Sequence, residues 1–409
     1  MPPTRAQVYR RRRLAVFGGA GALLLSIAYL PMTLFAPLEP TAAVAIETEA
    51  PTAVPADLAW PNSAAIGVGA VGFPGVLAST GSAEALPMAS ISKVVTVLTV
   101  LEEHPLTLED RGPTVELTAK DVAYYAQLEA VGAAVKPVWS GLTLSQYELL
   151  QLVLVPSAAN YTHSLVDWAF GNEEAFVAAA NEWLDAHGLT ETSFVEPTGL
   201  SPQNRSTVAE LIELGKFALA DPVVSEIVAT TVVAIPGIGV IENSNEILGS
   251  YGIDGIKTGT LPEAGACLLF SSDLTVGAHS VTIVGVALGG AHHDVQNPQI
   301  QALVQTVQAG FQELDLVESG DVFGEYTTAW GDTAEAVATE DLSVLVWGDT
   351  PTSLAVQMDA IGAAPSGTTV GAASFTVGQE LLEVPLVLSD ALNDPGPMWR
   401  LTNPALLFG

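Results

Sequence analysis

Apolar residues run almost unbroken through positions 14–30, pause at Pro31 and resume at Met32, Leu34, Phe35 and Leu38. Seventeen helical residues span roughly 25 Å, and the continuation past Pro31 brings the stretch near the hydrocarbon thickness of a bilayer. Arg10, Arg11, Arg12 and Arg13 stand directly before it, which predicts a cytoplasmic start and an extracytoplasmic body. Ala43-Val44-Ala45 has the small-x-small form of a signal cleavage site, so a cleaved leader competes with an uncleaved anchor. The length of the apolar run and its distance from Ala45 favour the anchor, with secretion as the alternative. The Pro/Ala/Thr/Glu-rich stretch 39–57 reads as a polar, extended tether.

Behind it the pattern turns globular. Positions 92–101, 117–127, 144–155, 161–170, 173–187 and 208–220 carry helical periodicity. Positions 66–77 are apolar and glycine-rich, fitting short strands, and 253–257, 268–270 and 281–288 read as later strands. Helices clustered between an early strand pair and later strands predict an α+β domain on a mostly antiparallel sheet, not a βαβ alternation. From about Leu316 short alternating runs at 322–330, 342–347, 370–377 and 382–388, separated by Gly/Asp/Pro/Thr turns, predict a small all-β domain. The expected organisation is a basic N-terminus (1–13), a membrane or signal segment (14–38), a tether (39–57), a catalytic domain (58–314) and a small β domain (315–409).

Charge narrows the partners. The chain has 13 basic against 45 acidic residues and a net charge of −32, and five of the basic residues are Arg5 and the four arginines before the apolar run. So acidic a body repels nucleic acid and anionic lipid, and neither is an expected partner of it. The single cysteine, Cys267, rules out an internal disulfide framework, and its neighbours Ala266 and Leu268 suggest a buried thiol.

Scarcity makes the remaining cations informative. In Ala89-Ser90-Ile91-Ser92-Lys93, Ser90 opens an apolar, helix-like segment, and Lys93 lies three residues on. Residues three apart on a helix share a face. A serine hydroxyl is a poor nucleophile until a base takes its proton, and a lysine serves when burial and nearby positive charge lower its pKa. A helix that stops at Pro156 places Ser157-Ala158-Ala159-Asn160 at a junction. Lys257-Thr258-Gly259-Thr260, on a strand edge, offers a cation, two hydroxyls and a glycine that lets a ligand approach the backbone, a receptor for a carboxylate and an extended peptide. His292-His293 with Asp294 lacks a third ligand at metal-site spacing and reads as a surface turn. Trp139, Tyr147, Tyr124 and Tyr125 read as packing residues. No metal or cofactor is expected.

The order Ser90-Ile91-Ser92-Lys93, Pro156-Ser157-Ala158-Ala159-Asn160 and Asp254-Gly255-Ile256-Lys257-Thr258-Gly259 resembles the three signature motifs of penicillin-binding serine acyltransferases. More narrowly it is similar to the low-molecular-mass D-alanyl-D-alanine carboxypeptidases (peptidase S11-like), with Glu196-Pro197-Thr198-Gly199-Leu200 as a supporting stretch. The resemblance implies a β-lactamase/transpeptidase-like catalytic domain, a peptidoglycan stem peptide ending in D-Ala-D-Ala as substrate, and β-lactams as acylating ligands. It also implies roles. Ser90 would be the nucleophile, Lys93 its base and Ser157 a proton relay. Asn160, Lys257, Thr258, Gly259 and Thr260 would bind substrate, and an oxyanion hole would form from the Ser90 N–H and one N–H of the 257–260 strand. One departure is plain: the family's middle motif is Ser-x-Asn, and here Ala159 holds the asparagine's place with Asn160 one position later. A shifted junction, slower turnover, and loss of turnover with retained binding all remain open, as does a β-lactam-hydrolysing activity.

Overall fold

The structure is a computed structural model that describes residues 4–408, so the extreme ends of the expected segments 1–13 and 315–409 lie outside the described residues. The N-terminal apolar stretch forms one helix, α1 (Arg5–Leu34), which passes through Pro31 without ending. Among the described residues it is the one helix long and apolar enough to cross a membrane.

The chain divides into two compact units, Pro55–Phe311 and a second made from residues up to Val54 together with those from Gln312 onward. The first is built on an antiparallel sheet of β1 (Ala65–Ala70), β2 (Ala78–Gly81), β3 (Ile253–Leu261), β4 (Gly265–Val276) and β5 (His279–Gly290), in the spatial order β3-β4-β5-β1-β2. Side chains alternate across such a sheet. Ile256, Leu269 and Val284 belong to the helical core on one face. Leu268 and Phe270 point to the other, where the helix His293–Ala309 packs on β4.

The helices of this unit are α2 (Ser92–Glu103), α3 (Ala119–Ala130), α4 (Gln146–Leu154), α5 (Ala159–Phe170), α6 (Glu173–Ala186), α7 (Val208–Ala220), α8 (Pro222–Val228) and α9 (His293–Ala309). Their starts follow local chemistry. Thr118 caps α3 and Ser145 caps α4, each in a capping box with an acidic residue three positions on, and the Asp221 carboxylate accepts from two N–H groups at the start of α8. Helix α2 is apolar from Val94 through Leu101 apart from Thr96 and Thr99, and this stretch is buried on all sides. A helix with no exposed face over this stretch sits in the middle of a core, and α4, α5, α6 and α7 surround it. A buried lysine on its first turn is therefore held in a rigid, water-poor setting.

In the second unit the four expected β strands appear as Val322–Thr327, Leu342–Trp347, Thr369–Val377 and Glu380–Leu388, and three more that the pattern did not predict join them: Thr333–Ala338 and Thr352–Met358 in the same sheet as Val322–Thr327, and Phe311–Val317 paired with Leu342–Trp347. The stretch 39–57 departs from a free tether. Val44–Ala45 adds an antiparallel strand to Val322–Thr327, Thr41 bridges Ile361, Thr352 donates to the Pro51 carbonyl, and Val54 N–H donates to Gln312 Oε1. An edge strand has unpaired N–H and C=O groups, and this segment satisfies them.

Candidate active site

Ser90 sits in a single tight turn, Ala89–Ile91, immediately before α2. Ala89 takes φ +46°, a left-handed conformation that an alanine adopts only where its surroundings demand it. Two glycines supply that demand. A Cβ on Gly199 would lie 2.0 Å from the Ala89 carbonyl oxygen, and one on Gly259 would lie 2.8 Å from the Ser90 nitrogen. The turn is thus clamped between the 196–199 loop and β3 through contacts that only a missing side chain permits.

Lys93, one turn into α2, donates from Nζ to Ser90 Oγ at 2.9 Å and to the Thr198 carbonyl at 2.6 Å. Its side chain is 1% exposed. Burial lowers its pKa to about 8, against the opposing pull of Glu196. Glu196 also organises the loop: its carboxylate accepts from Thr198 N–H and Oγ1 and from Ser201 N–H. Asn204 Nδ2 donates to the Glu196 carboxylate and carbonyl and to Ser92 Oγ, and Thr96 Oγ1 donates to the Pro197 carbonyl. These bonds tie the loop to α2.

Lys257 lies on β3 and is equally buried. Its Nζ donates to the Thr258 carbonyl at 3.1 Å. Burial first, then the charge of Lys93, holds its pKa well below the usual lysine range. Thr258 Oγ1 pairs with Ser244 Oγ at 2.6 Å, and Thr260, at the exposed end of the motif, lies 3.0 Å from His293 Nε2. The arrangement brings a half-exposed hydroxyl, a buried amine with weakened proton affinity, a second buried amine and an edge of hydroxyls and backbone N–H groups to one place. It can deprotonate the serine and hold an anionic, extended ligand beside it.

The junction of α4 and α5 is sharper than the helical pattern implies. Ser157 is mostly buried, with φ +61°. Asn160 is turned onto the 134–137 loop. Its Oδ1 accepts from Lys136 N–H and its Nδ2 donates to the Lys136 carbonyl, both at 3.0 Å, while Ala159 N–H donates to the Ala134 carbonyl and Tyr161 OH to the Pro137 carbonyl. Both ends of the carboxamide are engaged in pinning the 134–137 loop, and Ala159 is fully buried.

Sequence reasoning left Glu196, Thr198, Ser244 and His293 without roles. Thr198 acts through its carbonyl and Ser244 through a partner fourteen residues away, neither of which leaves a residue-type signal. His293 was expected in a surface turn, yet it opens α9 and is hydrogen-bonded to Thr260. Among the described residues no cluster has metal-ligand composition. Tyr147 packs in the core as expected, whereas Trp139 is half exposed beside Gly237.

A family model described as D-alanyl-D-alanine carboxypeptidase matches residues 73–288. The D-alanyl-D-alanine endopeptidase of Pseudomonas aeruginosa is 28% identical over 231 residues, 54% of this chain and 71% of that protein. The carboxypeptidase DacF of Bacillus subtilis is 24% identical over 238 residues, 56% of this chain and 58% of that protein. Among solved structures, penicillin binding protein 5 from Haemophilus influenzae has a TM-score of 0.58 at 18% identity, covering 82% of this chain and 98% of that one. PBP3 from Streptococcus pneumoniae has a TM-score of 0.59 at 21% identity, covering 81% and 100%. At these identities the structures show a shared fold, the penicillin-binding and transpeptidase arrangement of helices on an antiparallel sheet.

Proposed function

Since the chain belongs to the D-alanyl-D-alanine carboxypeptidase family, its model covering residues 73–288, we propose that it is a serine hydrolase cleaving the D-Ala-D-Ala end of peptidoglycan stem peptides through an acyl-enzyme on Ser90. The observation that carries this reading is the 2.9 Å contact between Lys93 Nζ and Ser90 Oγ, with burial holding the amine's pKa at about 8. At that value about a tenth of the lysine is neutral at pH 7 and able to accept a proton.

The steps follow from that pair. Neutral Lys93 takes the Ser90 proton as Oγ attacks the carbonyl of the penultimate D-alanine. The developing oxyanion accepts hydrogen bonds from the Ser90 N–H and from a β3 N–H beside Gly259. The C–N bond then breaks, the leaving amine takes a proton relayed through Ser157, and the terminal D-alanine departs. Water hydrolyses the Ser90 ester, with the same lysine as base. Lys257 contributes positive potential for the terminal carboxylate, and Thr258 and Thr260 contribute hydroxyls. β-Lactams acylate the same oxygen. Helix α1 anchors the chain in the membrane with its arginines inside and the body outside.

A second reading, catalytic impairment with retained acylation, is favoured by one feature: Ala159 carries no amide and the Asn160 carboxamide is closed on Lys136. One experiment separates the two. D-Alanine release from a diacetylated Lys-D-Ala-D-Ala tripeptide is measured with the body purified without α1, next to Ser90→Ala and to fluorescent penicillin labelling. Release and labelling that both vanish in Ser90→Ala support the hydrolase. Labelling without release in the unmutated protein moves the impaired reading ahead, and labelling that survives Ser90→Ala removes the nucleophile assignment.

A further inference from the structure

Helix α1 does not stand alone at its outer end. Beyond the strand Glu380–Leu388 the chain forms two short helices, α10 (Gly396–Thr402) and α11 (Pro404–Phe408), and α10 packs along α1. Two bonds fix its height. Tyr29 OH donates to the Leu401 carbonyl at 2.7 Å, and Arg400 Nη1 donates at 2.6 Å to the carbonyl of Ala36, just past the end of α1. From Arg13 to Tyr29 the helix rises roughly 24 Å, and the hydrocarbon core of a bilayer is about 30 Å thick. With the arginines at the cytoplasmic surface, Tyr29 stands near the outer boundary of the hydrocarbon, and Leu401 is bonded to it there.

The chemistry of the two helices suits that depth. Residues 396–408 hold one ionisable side chain, Arg400, in a chain rich in acids. Its guanidinium is buried and answered twice by Asp394, from Nη2 to Oδ2 at 2.6 Å and from Nε to Oδ1 at 3.3 Å. The charge is thus neutralised within the protein. Its remaining bond covers the Ala36 carbonyl, and a backbone carbonyl at the edge of lipid requires such a partner. The polar side chains of Thr402 and Asn403 turn back onto the Met398 and Trp399 carbonyls of α10. The large side chains left open are apolar: Met398, Leu406 and Phe408 stand half exposed or more, as do Met32 and Phe35 on the α1 side. Trp399 packs edge-to-face on Trp330, 5.8 Å between ring centres, and aromatic rings of this kind concentrate at the membrane–water interface. An uncharged apolar face at the level of a membrane span is suited to lipid.

We propose that α10 and α11 lie in the outer leaflet as lipid-facing companions of α1, latched to it by Arg400 and Tyr29. This rests on the reading of α1 as a membrane anchor. Helices of seven and five residues are too short to hold their place unaided, so the latch is what keeps them there, and a body freed of α1 stays in solution.

The test uses the full chain with Cys267→Ala, reconstituted in vesicles of zwitterionic phosphatidylcholine. A fluorophore is placed in turn on Leu406→Cys, on Leu24→Cys in the middle of α1, and on Gln379→Cys in the turn before Glu380–Leu388. The 406 label is expected to lose about half of its emission to lipids brominated high on the acyl chain, since an interfacial helix sits about 5–10 Å into the headgroup boundary. The 379 label is expected to lose none. Arg400→Gln is expected to bring the 406 label to the level of the 379 label while the 24 label stays quenched. A 406 label no more quenched than the 379 label, beside a quenched 24 label, overturns the proposal. If that 406 label is also shielded from aqueous iodide, protein covers the face instead of lipid. Undiminished quenching at 406 in Arg400→Gln overturns the latch. A 24 label that no brominated lipid reaches would instead overturn the reading of α1 as an anchor.

Discussion

In the proposed mechanism Lys93 is the base, and its environment makes the pH dependence explicit. A base must be deprotonated to act, so the rate of penicillin acylation is expected to rise about tenfold per pH unit below pH 8 and to level off above it. A stopped-flow or gel-labelling profile from pH 6 to 10 reads this directly, and a flat profile would count against Lys93 as the base. The same shift has a stability consequence of fixed sign. Folding weakens proton binding by Lys93, from an ordinary 10.5 to about 8, so the unfolded chain holds more protons between those values and folding stability rises with pH across that window. Replacing Lys93 by Met keeps the buried stem and removes the amine. It is expected to lower acylation by about 10²–10⁴-fold without lowering the melting temperature, because a buried amine that resists protonation contributes little to stability. Position 159 is the residue-scale counterexample: the sequence showed that the asparagine is missing, but not that Asn160 would be engaged with Lys136.

At the scale of elements, the turn before α2 depends on the loop 196–199 and on β3 more than on its own residues. Gly199→Ala would force a methyl into the Ala89 carbonyl from a backbone at φ +80°, and is expected to abolish acylation even where the protein still folds. Glu196→Ala removes the acceptor of several loop hydrogen bonds. It is expected to cost about 2–4 kcal/mol of stability, seen as a lower denaturant midpoint, and to slow acylation as the Thr198 carbonyl drifts from Lys93. The helices were legible because apolar periodicity and caps reflect local forces: α2 and α7 start where the pattern predicts, and α5 begins at Ala159, two residues earlier than expected. Strand lengths were less legible. The expected strand 268–270 is the middle of Gly265–Val276, since Ser271, Ser272 and Asp273 break the apolar run but keep their backbone bonds through pairing with β5 and, at Ser271, a side-chain bond to Asp254.

For the whole molecule, the two units have different dependence on the N-terminal segment. Removing α1 while keeping residues from 39 onward should give a soluble protein with both units intact. Cutting at residue 58 also removes Val44–Ala45 and the bonds at Thr41, Pro51 and Val54, exposing the edge of Val322–Thr327. That cut is expected to destabilise the second unit by about 1–3 kcal/mol, or roughly 5–15 °C in its melting transition, and to promote association through the open strand. Calorimetry and size-exclusion profiles of the two truncations check this, and equal melting of the second unit in both would show the segment to be a passive tether. The acidic excess of the body, set against arginines gathered before α1, is a property of composition and needs no fold to be read.

The apolar N-terminal segment, the helical core, the late β region and the three motifs in order are all written in the sequence alone, because each is carried by residue type at short spacing. Those signals arise from forces acting within a few residues: burial of a periodic face, capping, and the reach between Ser90 and Lys93 one turn apart. Which groups meet across the chain follows from the packed fold. It placed the Thr198 carbonyl on Lys93, Ser244 on Thr258 and His293 on Thr260, directed Asn160 onto Lys136, and folded the 41–54 segment onto a sheet edge. These contacts join residues 14 to about 300 positions apart, and through backbone atoms as often as side chains. Packing selects them, since each orphaned polar group or uncovered edge must find its partner wherever the folded chain brings one.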